Sequence, residues 1–437
     1  MIRNQHIARR RFLQQTALAA IGAPLVVNSA VLGADGRTAP NDRINLGFIG
    51  VGKQAHGHLR NFLGRKEVQV MAVCDVQQTK RQAAQEAVDE RYGLRRAQPS
   101  GGGQPYKGVA YYNDFRELLA RGDIDAVVIG TPDHWHAIPV IQAAAAGMDI
   151  YCEKPLSLTI REARAMVNAV RRYGRVFQTG SQQRSDDKFR FACEMVRSGR
   201  IGQLKTIHVG IGGPSEDCYL PEEPVPEGVD WNMWLGPAPW RPYHSILCPP
   251  PSFTGFPHWR SYRDYSGGGM TDWGAHHFDI AQWGMGTDDS GPVEIIPPDG
   301  NDVKQLTYRY ASGVLMYHGG ANGVLFTGAE GKIEVNRGYL RTWPASMMRK
   351  PTGPDEVHLY RSSSHHSDWL RSIRTRQKPI CDVEIGCRSV TVCHLGNLAY
   401  RLGRPLKWDP VKEEFLGDPQ ANRWLDRPKR EPWTLPC

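Results

Sequence analysis

Short apolar runs alternate with amphipathic stretches through the first part of the chain. Residues 44–49, 68–74, 109–111, 126–129, 149–152 and 176–179 read as strands. Between them, 56–63, 79–92, 114–121, 138–146 and 160–173 carry helical patterning, and 98–104 is a Pro/Gly/Ser loop. Six strands alternating with helices predict an α/β domain over 41–180 with a parallel, doubly wound sheet. After Gly180 the pattern changes. Residues 204–211, 303–310, 314–318, 324–327 and 332–335 read as strands with Gly or Asn turns, and 365–374 and 383–401 as helices. They predict an α+β domain over 181–405 with a mainly antiparallel sheet. The Pro- and Trp-rich segment 406–437 is expected to wrap the surface as a tail, and no internal repeat is present.

The first predicted strand runs into Gly50-Val51-Gly52-Lys53-Gln54-Ala55, which fits G-x-G-x-x-G/A, and a helical segment follows. That context is what a dinucleotide-binding Rossmann turn requires. Gly50 permits the turn, Gly52 lets the backbone approach a pyrophosphate, and helix N–H groups favour its charge. Asp75 ends the second strand at the spacing of a ribose 2′-OH partner, where it would repel a 2′-phosphate, so NAD is expected over NADP.

The fifth strand ends in Glu153-Lys154-Pro155, at the carboxyl edge where ligands bind in such sheets. A lysine there can touch both a cofactor and a substrate hydroxyl. The fourth strand leads into Thr131-Pro132-Asp133-His134-Trp135-His136, expected to lie over the nicotinamide side of the cofactor. The cofactor-binding candidates are therefore Gly50, Gly52, Lys53, Gln54, Asp75, Thr131, Pro132, His136, Glu153 and Lys154. His134 and His136 lack a third ligand nearby and make a poor metal site.

A second cluster follows a glycine turn: Asp272, His276, His277 and Asp279 on an expected helix. At i and i+4, Asp272 and His276 share one face. A carboxylate beside an imidazole raises its basicity, which suits a general base removing an alcohol proton. Lys154, Asp272 and His276 are the catalytic candidates. Residues 214–263 are rich in Pro, Trp, Tyr and Phe, including Trp231, Trp234, Trp240, Trp259 and Tyr262. Such faces stack on carbohydrate or pack beneath a long loop. Trp259, Arg260, His277 and Asp279 are the substrate candidates. No metal is expected, since nicotinamide chemistry needs none.

The chain of 437 residues is 40% hydrophobic and 23% charged, which fits a globular protein of two domains and excludes a disordered one. Its net charge is +9, but Arg3, Arg9, Arg10 and Arg11 lie in the first 34 residues, leaving +5 without a basic block. Nucleic acid is not an expected partner. Arg9-Arg10-Arg11-Phe12-Leu13 has the twin-arginine form, and the apolar run 17–27 is too short and broken to span a membrane. Segment 1–34 therefore reads as a twin-arginine export signal, and the protein as periplasmic or otherwise exported. Of nine cysteines, Cys381, Cys387 and Cys393 recur every six residues, on different helix faces, so they form no metal cluster. Cys218 and Cys248 are the best candidates for a disulfide in an exported chain.

Together the glycine turn, Glu153-Lys154-Pro155 and Asp272-x-x-x-His276 resemble the Gfo/Idh/MocA oxidoreductases over about residues 43–400. The long aromatic insert and C-terminal extension resemble a bacterial subgroup with many exported members of unknown substrate. The resemblance implies a Rossmann domain beside an open-faced sheet domain, a dimer or tetramer, and a small-molecule sugar, glycoside or cyclitol as substrate. It implies that Lys154 orients the hydroxyl and steadies the alkoxide while His276, assisted by Asp272, moves the proton. Tightly bound NAD would suit a folded, exported enzyme. Besides a dehydrogenase, it leaves open an NAD-dependent glycoside hydrolase working by transient ketone formation, and a non-catalytic sugar-binding protein.

Overall fold

The computed structural model describes residues 42–96 and 108–435. The twin-arginine segment 1–34 and the loop 98–104 lie outside the described residues. The first domain holds strands β1 (Ile44–Ile49), β2 (Val68–Cys74), β3 (Ala110–Tyr112), β4 (Ala126–Ile129), β5 (Asp149–Cys152) and β6 (Phe177–Thr179). They form one sheet in the order β3-β2-β1-β4-β5-β6, and every pairing is parallel. Strands β4 and β5 are buried at every position because helices cover both faces, which is why they read as unbroken apolar runs. The helices are α1 (Lys53–Leu63), α2 (Gln78–Arg96), α3 (Phe115–Leu119), α4 (Ala137–Ala145) and α5 (Ile160–Arg172). Helix α5 starts where expected because Thr159 caps it and Glu162 holds the residue before the cap. The Thr159 hydroxyl accepts from Glu162 N at 3.2 Å, and the Glu162 carboxylate accepts from Leu158 N at 3.1 Å.

The second domain is built on a nine-stranded sheet. Its members are β7 (Leu204–Val209), β8 (Glu294–Ile296), β9 (Thr307–Arg309), β10 (Leu315–His318), β11 (Val324–Gly328), β12 (Lys332–Asn336), β13 (Tyr339–Trp343), β14 (Leu406–Asp409) and β15 (Glu414–Phe415). The order is β13-β12-β11-β7-β10-β9-β8-β14-β15, antiparallel except for the β7–β10 pair. Burial alternates along β7, β11 and β12, so one face is packed and the other is left open. The packed face, with Ile207, Phe326 and Val335, meets helices α6 (Asp187–Arg197) and, after the short α7 (Trp231–Leu235) and α8 (Gly269–Asp272), α9 (Gly274–Met285). Helix α10 (His365–Thr375) lies instead on the first domain, where Trp369 joins the core. Helix α11 (Val383–Leu402) runs between the two. Helix α11 is buried almost all round because both domains press on it, and α9 because it lies between the second sheet, α6 and α11.

The C-terminal segment departs from the expected surface tail. Strand β14 is a member of the sheet, and Trp408 is fully buried. Trp433 returns to the first domain and packs edge-on against Trp135 at 4.7 Å, with Phe115 at 6.3 Å. The alternation Leu406-Lys407-Trp408 is a strand pattern, but a strand so short gains its partner only through the sheet. The expected Cys218–Cys248 disulfide is absent. Cys218 lies against the Arg241 guanidinium, while buried Cys248 points to Gln77 at 3.9 Å, and both are free thiols.

Asp279 is a structural residue, contrary to the substrate role expected for it. It is fully buried and accepts from the Arg184 Nε at 2.8 Å and the Ser389 hydroxyl at 2.7 Å. Arg184 also reaches Asp288 at 2.6 Å and stacks over Trp283. Removing one partner leaves a buried charge without its counter-ion, so Asp279→Ala is expected to cost about 3 kcal/mol of stability. Chemical denaturation of the variant checks this; a loss of activity at unchanged stability would count against the structural assignment.

Candidate functional site

A cavity of about 350 Å³ runs along the carboxyl edge of the parallel sheet, from the glycine turn to the start of α9. At one end are Gly50, Gly52, Lys53, Gln54 and Asp75; in the middle Thr131, Pro132, Glu153 and Lys154; at the far end Trp259, Arg260, Asp272 and His276. All of these were candidates, and the fold brings them to one continuous space.

The glycine turn is shaped for an anion. Gly50 has φ +77°, and a Cβ there would lie 2.8 Å from Thr131 N, so no side chain is tolerated. Gly52 is the N-cap of α1 but supplies no side-chain cap, the first turn holds no acid, and nothing lies within 4 Å of where its Cβ would be. The helix therefore opens its free N–H groups onto empty space. Asp75 stiffens the turn, accepting from Val51 N and Gln77 N at 2.9 Å each. Thr131 Oγ1 is buried without a partner among the described residues, on the cavity wall. An orphaned hydroxyl and an uncapped helix end are what a dinucleotide would satisfy.

His136 does not reach this cavity, contrary to expectation. It is buried, and its two ring nitrogens meet the carbonyls of Pro155 and Thr131, both at 2.9 Å. It ties the β4 loop to the turn after Lys154. Burial lowers its pKa. Glu153 is turned to His58 Nε2 at 2.7 Å, and His58 Nδ1 meets His366 Nε2 at 2.7 Å. Burial alone would raise the Glu153 carboxyl, but the hydrogen bond and charge of His58, with Lys154, hold it below its usual value. Gly180 makes room for it, since a Cβ there would lie 2.6 Å from Glu153 Oε1.

The second correction concerns Asp272. The helix breaks at Trp273, so Asp272 ends α8 and His276 sits in α9. Asp272 does not hold the imidazole. Its Oδ1 accepts from Lys154 Nζ at 2.7 Å, its backbone carbonyl accepts from the same nitrogen at 3.0 Å, and its Oδ2 pairs with Arg260. Two cations outcompete a neutral ring for one carboxylate. Burial raises the Asp272 pKa, but Lys154 and Arg260 outweigh it and keep the group ionised. His276 is buried, its Nδ1 has no partner among the described residues, and burial, with Lys154 and Arg337 nearby, sets its pKa well below the ordinary value. His277 faces away from the cavity and its Nδ1 meets the Gly210 carbonyl at 3.0 Å.

Arg337 and Asp133 line the wall without having been site candidates. Arg337, in the turn between β12 and β13, reaches in from the second domain, beside Trp273 and Gln182. Asp133 is buried, bonded by Ser266 at 2.5 Å, and raised by burial to about 7. The aromatic insert divides. Trp231 and Trp234 stack at 4.7 Å in a core of their own, Trp240 is exposed, and Trp234 and Trp259 line the cavity. From its loop, Phe256 lies under Lys53 at 4.5 Å and Arg260 at 4.4 Å, and strap residues Cys248, Pro249 and Pro257 also line the cavity.

Known proteins resemble the chain over most of its length. Residues 44–181 match the NAD-binding Rossmann fold of the Gfo/Idh/MocA oxidoreductases, and residues 214–435 match that family's C-terminal alpha/beta domain. A glycosyl hydrolase family 109 protein of Shewanella sp. MR-4 is 31% identical over 217 residues, 46% of this chain and 44% of that protein. An alpha-N-acetylgalactosaminidase of Shewanella oneidensis is 30% identical over the same length. The chain thus matches less than half the length of these curated relatives. Among solved structures, the aldose-aldose oxidoreductase of Caulobacter crescentus superposes with TM-score 0.54 at 18% identity, over 84% of this chain and 99% of the other. The WlbA dehydrogenase of Bordetella pertussis, solved with NADH and UDP-GlcNAcA, gives 0.55 at 17%, over 84% and 99%. These structures share the fold.

Gly52→Glu would put bulk and negative charge into the open cradle. It is expected to weaken nicotinamide dinucleotide binding at least about a hundredfold, with little change in thermal stability. Fluorescence titration with the reduced dinucleotide, beside a melting curve, checks both halves.

Proposed function

The chain belongs to the Gfo/Idh/MocA oxidoreductase family, and from that premise we propose an NAD-dependent oxidoreductase acting on a secondary hydroxyl of a sugar, glycoside or cyclitol. The observation that carries this reading is the one cavity joining an uncapped glycine turn to Lys154 and His276. A nicotinamide held along it would supply the hydride acceptor or donor. The chain's own residues handle the proton. His276 is neutral at neutral pH because burial lowers its pKa, so it is in the form that accepts a hydroxyl proton. Lys154 spends two of its three N–H groups on Asp272 and keeps one for the substrate oxygen. Its charge steadies that oxygen as the proton leaves. Asp272 therefore aims the lysine, and Arg260 shares the carboxylate.

The Asp75 carboxylate at the glycine-turn end of the cavity supports NAD over NADP, although Lys80 lines the same end. The Phe256 strap supports a cofactor retained through turnover. Retention suits a protein exported folded through the twin-arginine route to the periplasm, the destination that Arg9-Arg10-Arg11-Phe12-Leu13 suggests. The open sheet face supports a homo-oligomer, a dimer or tetramer, as the reading of the assembled protein.

The family 109 relatives favour a second reading, redox-neutral cleavage of a glycoside. Oxidation to a ketone would acidify the neighbouring C–H, elimination would expel the aglycone as an alcohol and leave an enone, water would add at the anomeric carbon, and the returned hydride would restore the hydroxyl. The same lysine and histidine would serve.

Lys154→Met and His276→Gln are each expected to lower kcat/KM by about 10²–10⁴-fold. Mass spectrometry after incubation with a panel of glycosides and cyclitols reads ketone and cleaved product separately. A double variant as active as the parent would overturn the assignment. Since protonation removes the base, kcat/KM should fall as pH drops through a lowered pKa. The acid limb should therefore lie below the usual imidazole value of about 6.5, with a plateau through neutral pH. An acid limb above that value in the pH–rate profile would exclude His276 as the base.

A further inference from the structure

The substrate end of the cavity has more positive than negative charge. Three cations line it: Lys154, Arg260 and Arg337. The carboxylate they share the space with, Asp272, is taken by the first two. Glu153 is turned to His58, and Asp133 to Ser266. Arg337 makes no ion pair among the described residues. Its position is nevertheless defined. The guanidinium lies over the Trp273 ring at 4.7 Å, and the buried Gln183 amide, oriented to satisfy both its ends, accepts from Nε at 3.2 Å while donating to the His276 carbonyl at 3.1 Å. The terminal nitrogens of the fork have no partner among the described residues.

We propose that the substrate carries a carboxylate, as a hexuronic acid or its glycoside does, and that Arg337 binds it. This rests on the sugar-oxidising reading of the same site. A guanidinium with Nε engaged and its two terminal N–H groups free presents a planar, two-pronged donor that matches a carboxylate. One unpaired cation balances one negative charge. A phosphate carrying about −1.5 to −2 would call for a second free cation. The aromatic walls Trp259 and Trp273 offer faces for the sugar ring. The carboxylate would lie on the second-domain side, leaving Lys154 and His276 for the hydroxyl that reacts.

The test is a binding measurement, independent of turnover. The purified full chain with its cofactor is titrated by calorimetry with matched pairs: methyl glycosides of glucuronate, galacturonate and mannuronate against those of glucose, galactose and mannose, with the sugar 6-phosphates alongside. At least one uronate is expected to bind roughly tenfold or more tighter than its neutral partner. That preference should vanish in Arg337→Gln and survive in part in Arg337→Lys, with both variants melting like the parent. No preference for any uronate, a stronger preference for a phosphate, or a preference that persists in Arg337→Gln would overturn the proposal. So would an equal loss of affinity for acidic and neutral sugars, which marks Arg337 as acting only through His276. Should uronates bind through Arg337 and never react, the oxidoreductase reading fails while carboxylate recognition stands.

Discussion

The ion cluster of Lys154, Asp272 and Arg260 is the contact on which the site depends. Lys154 comes from the end of β5 in the first domain, Asp272 from α8 and Arg260 from the aromatic insert. Each charge is mostly buried, and an isolated one would be costly. Together they hold the two domains at a fixed separation along the cavity. The lysine that the chemistry needs is thus positioned by the same pairing that joins the domains.

The surrounding architecture protects that pairing. Strand β5 is buried on both faces, so its carboxyl end cannot shift without moving the sheet. His136 sits between the carbonyls of Thr131 and Pro155 and donates to one of them, packing the loop above the lysine against the turn below it. Trp433 packs against Trp135 and Phe115, and so the end of the chain braces the β4 loop from outside. Across the interface, Arg164 pairs with Glu384 and Glu413, and Arg376 with Asp149. The cavity lies beside an interface that helix α11 and these ion pairs hold closed.

A polarity runs along the cavity. The dinucleotide end combines an uncapped helix, a stiffened glycine turn, the Asp75 carboxylate bonded to backbone N–H groups, and the side chains of Lys53 and Lys80. The far end carries an unspent positive charge beside a neutral imidazole. Burial and cations both disfavour a protonated His276, so its readiness as a base follows from its surroundings rather than from a carboxylate partner.

The parallel sheet, the glycine turn, Asp75, Glu153-Lys154 and His276 were legible in the sequence because each rests on local rules. Apolar runs buried on both sides, a turn that admits only glycine, and motifs at strand ends need no knowledge of distant contacts. Trp259 and Arg260 line the cavity from an insert that the sequence marks only by its aromatic composition. What the sequence misassigned were partners. Asp272 and His276 are four residues apart, but a break at Trp273 and the pull of two cations separate them. His136, His277 and Asp279 are polar residues near the motifs whose hydrogen bonds turn them inward, and Arg337 sits in an Asn-Arg-Gly turn that reads as solvent. The chain's own order thus determines which chemistry is available and where strands end. Which side chains face one another is decided only when two domains close, since ion pairing and burial act across hundreds of residues and leave no local trace.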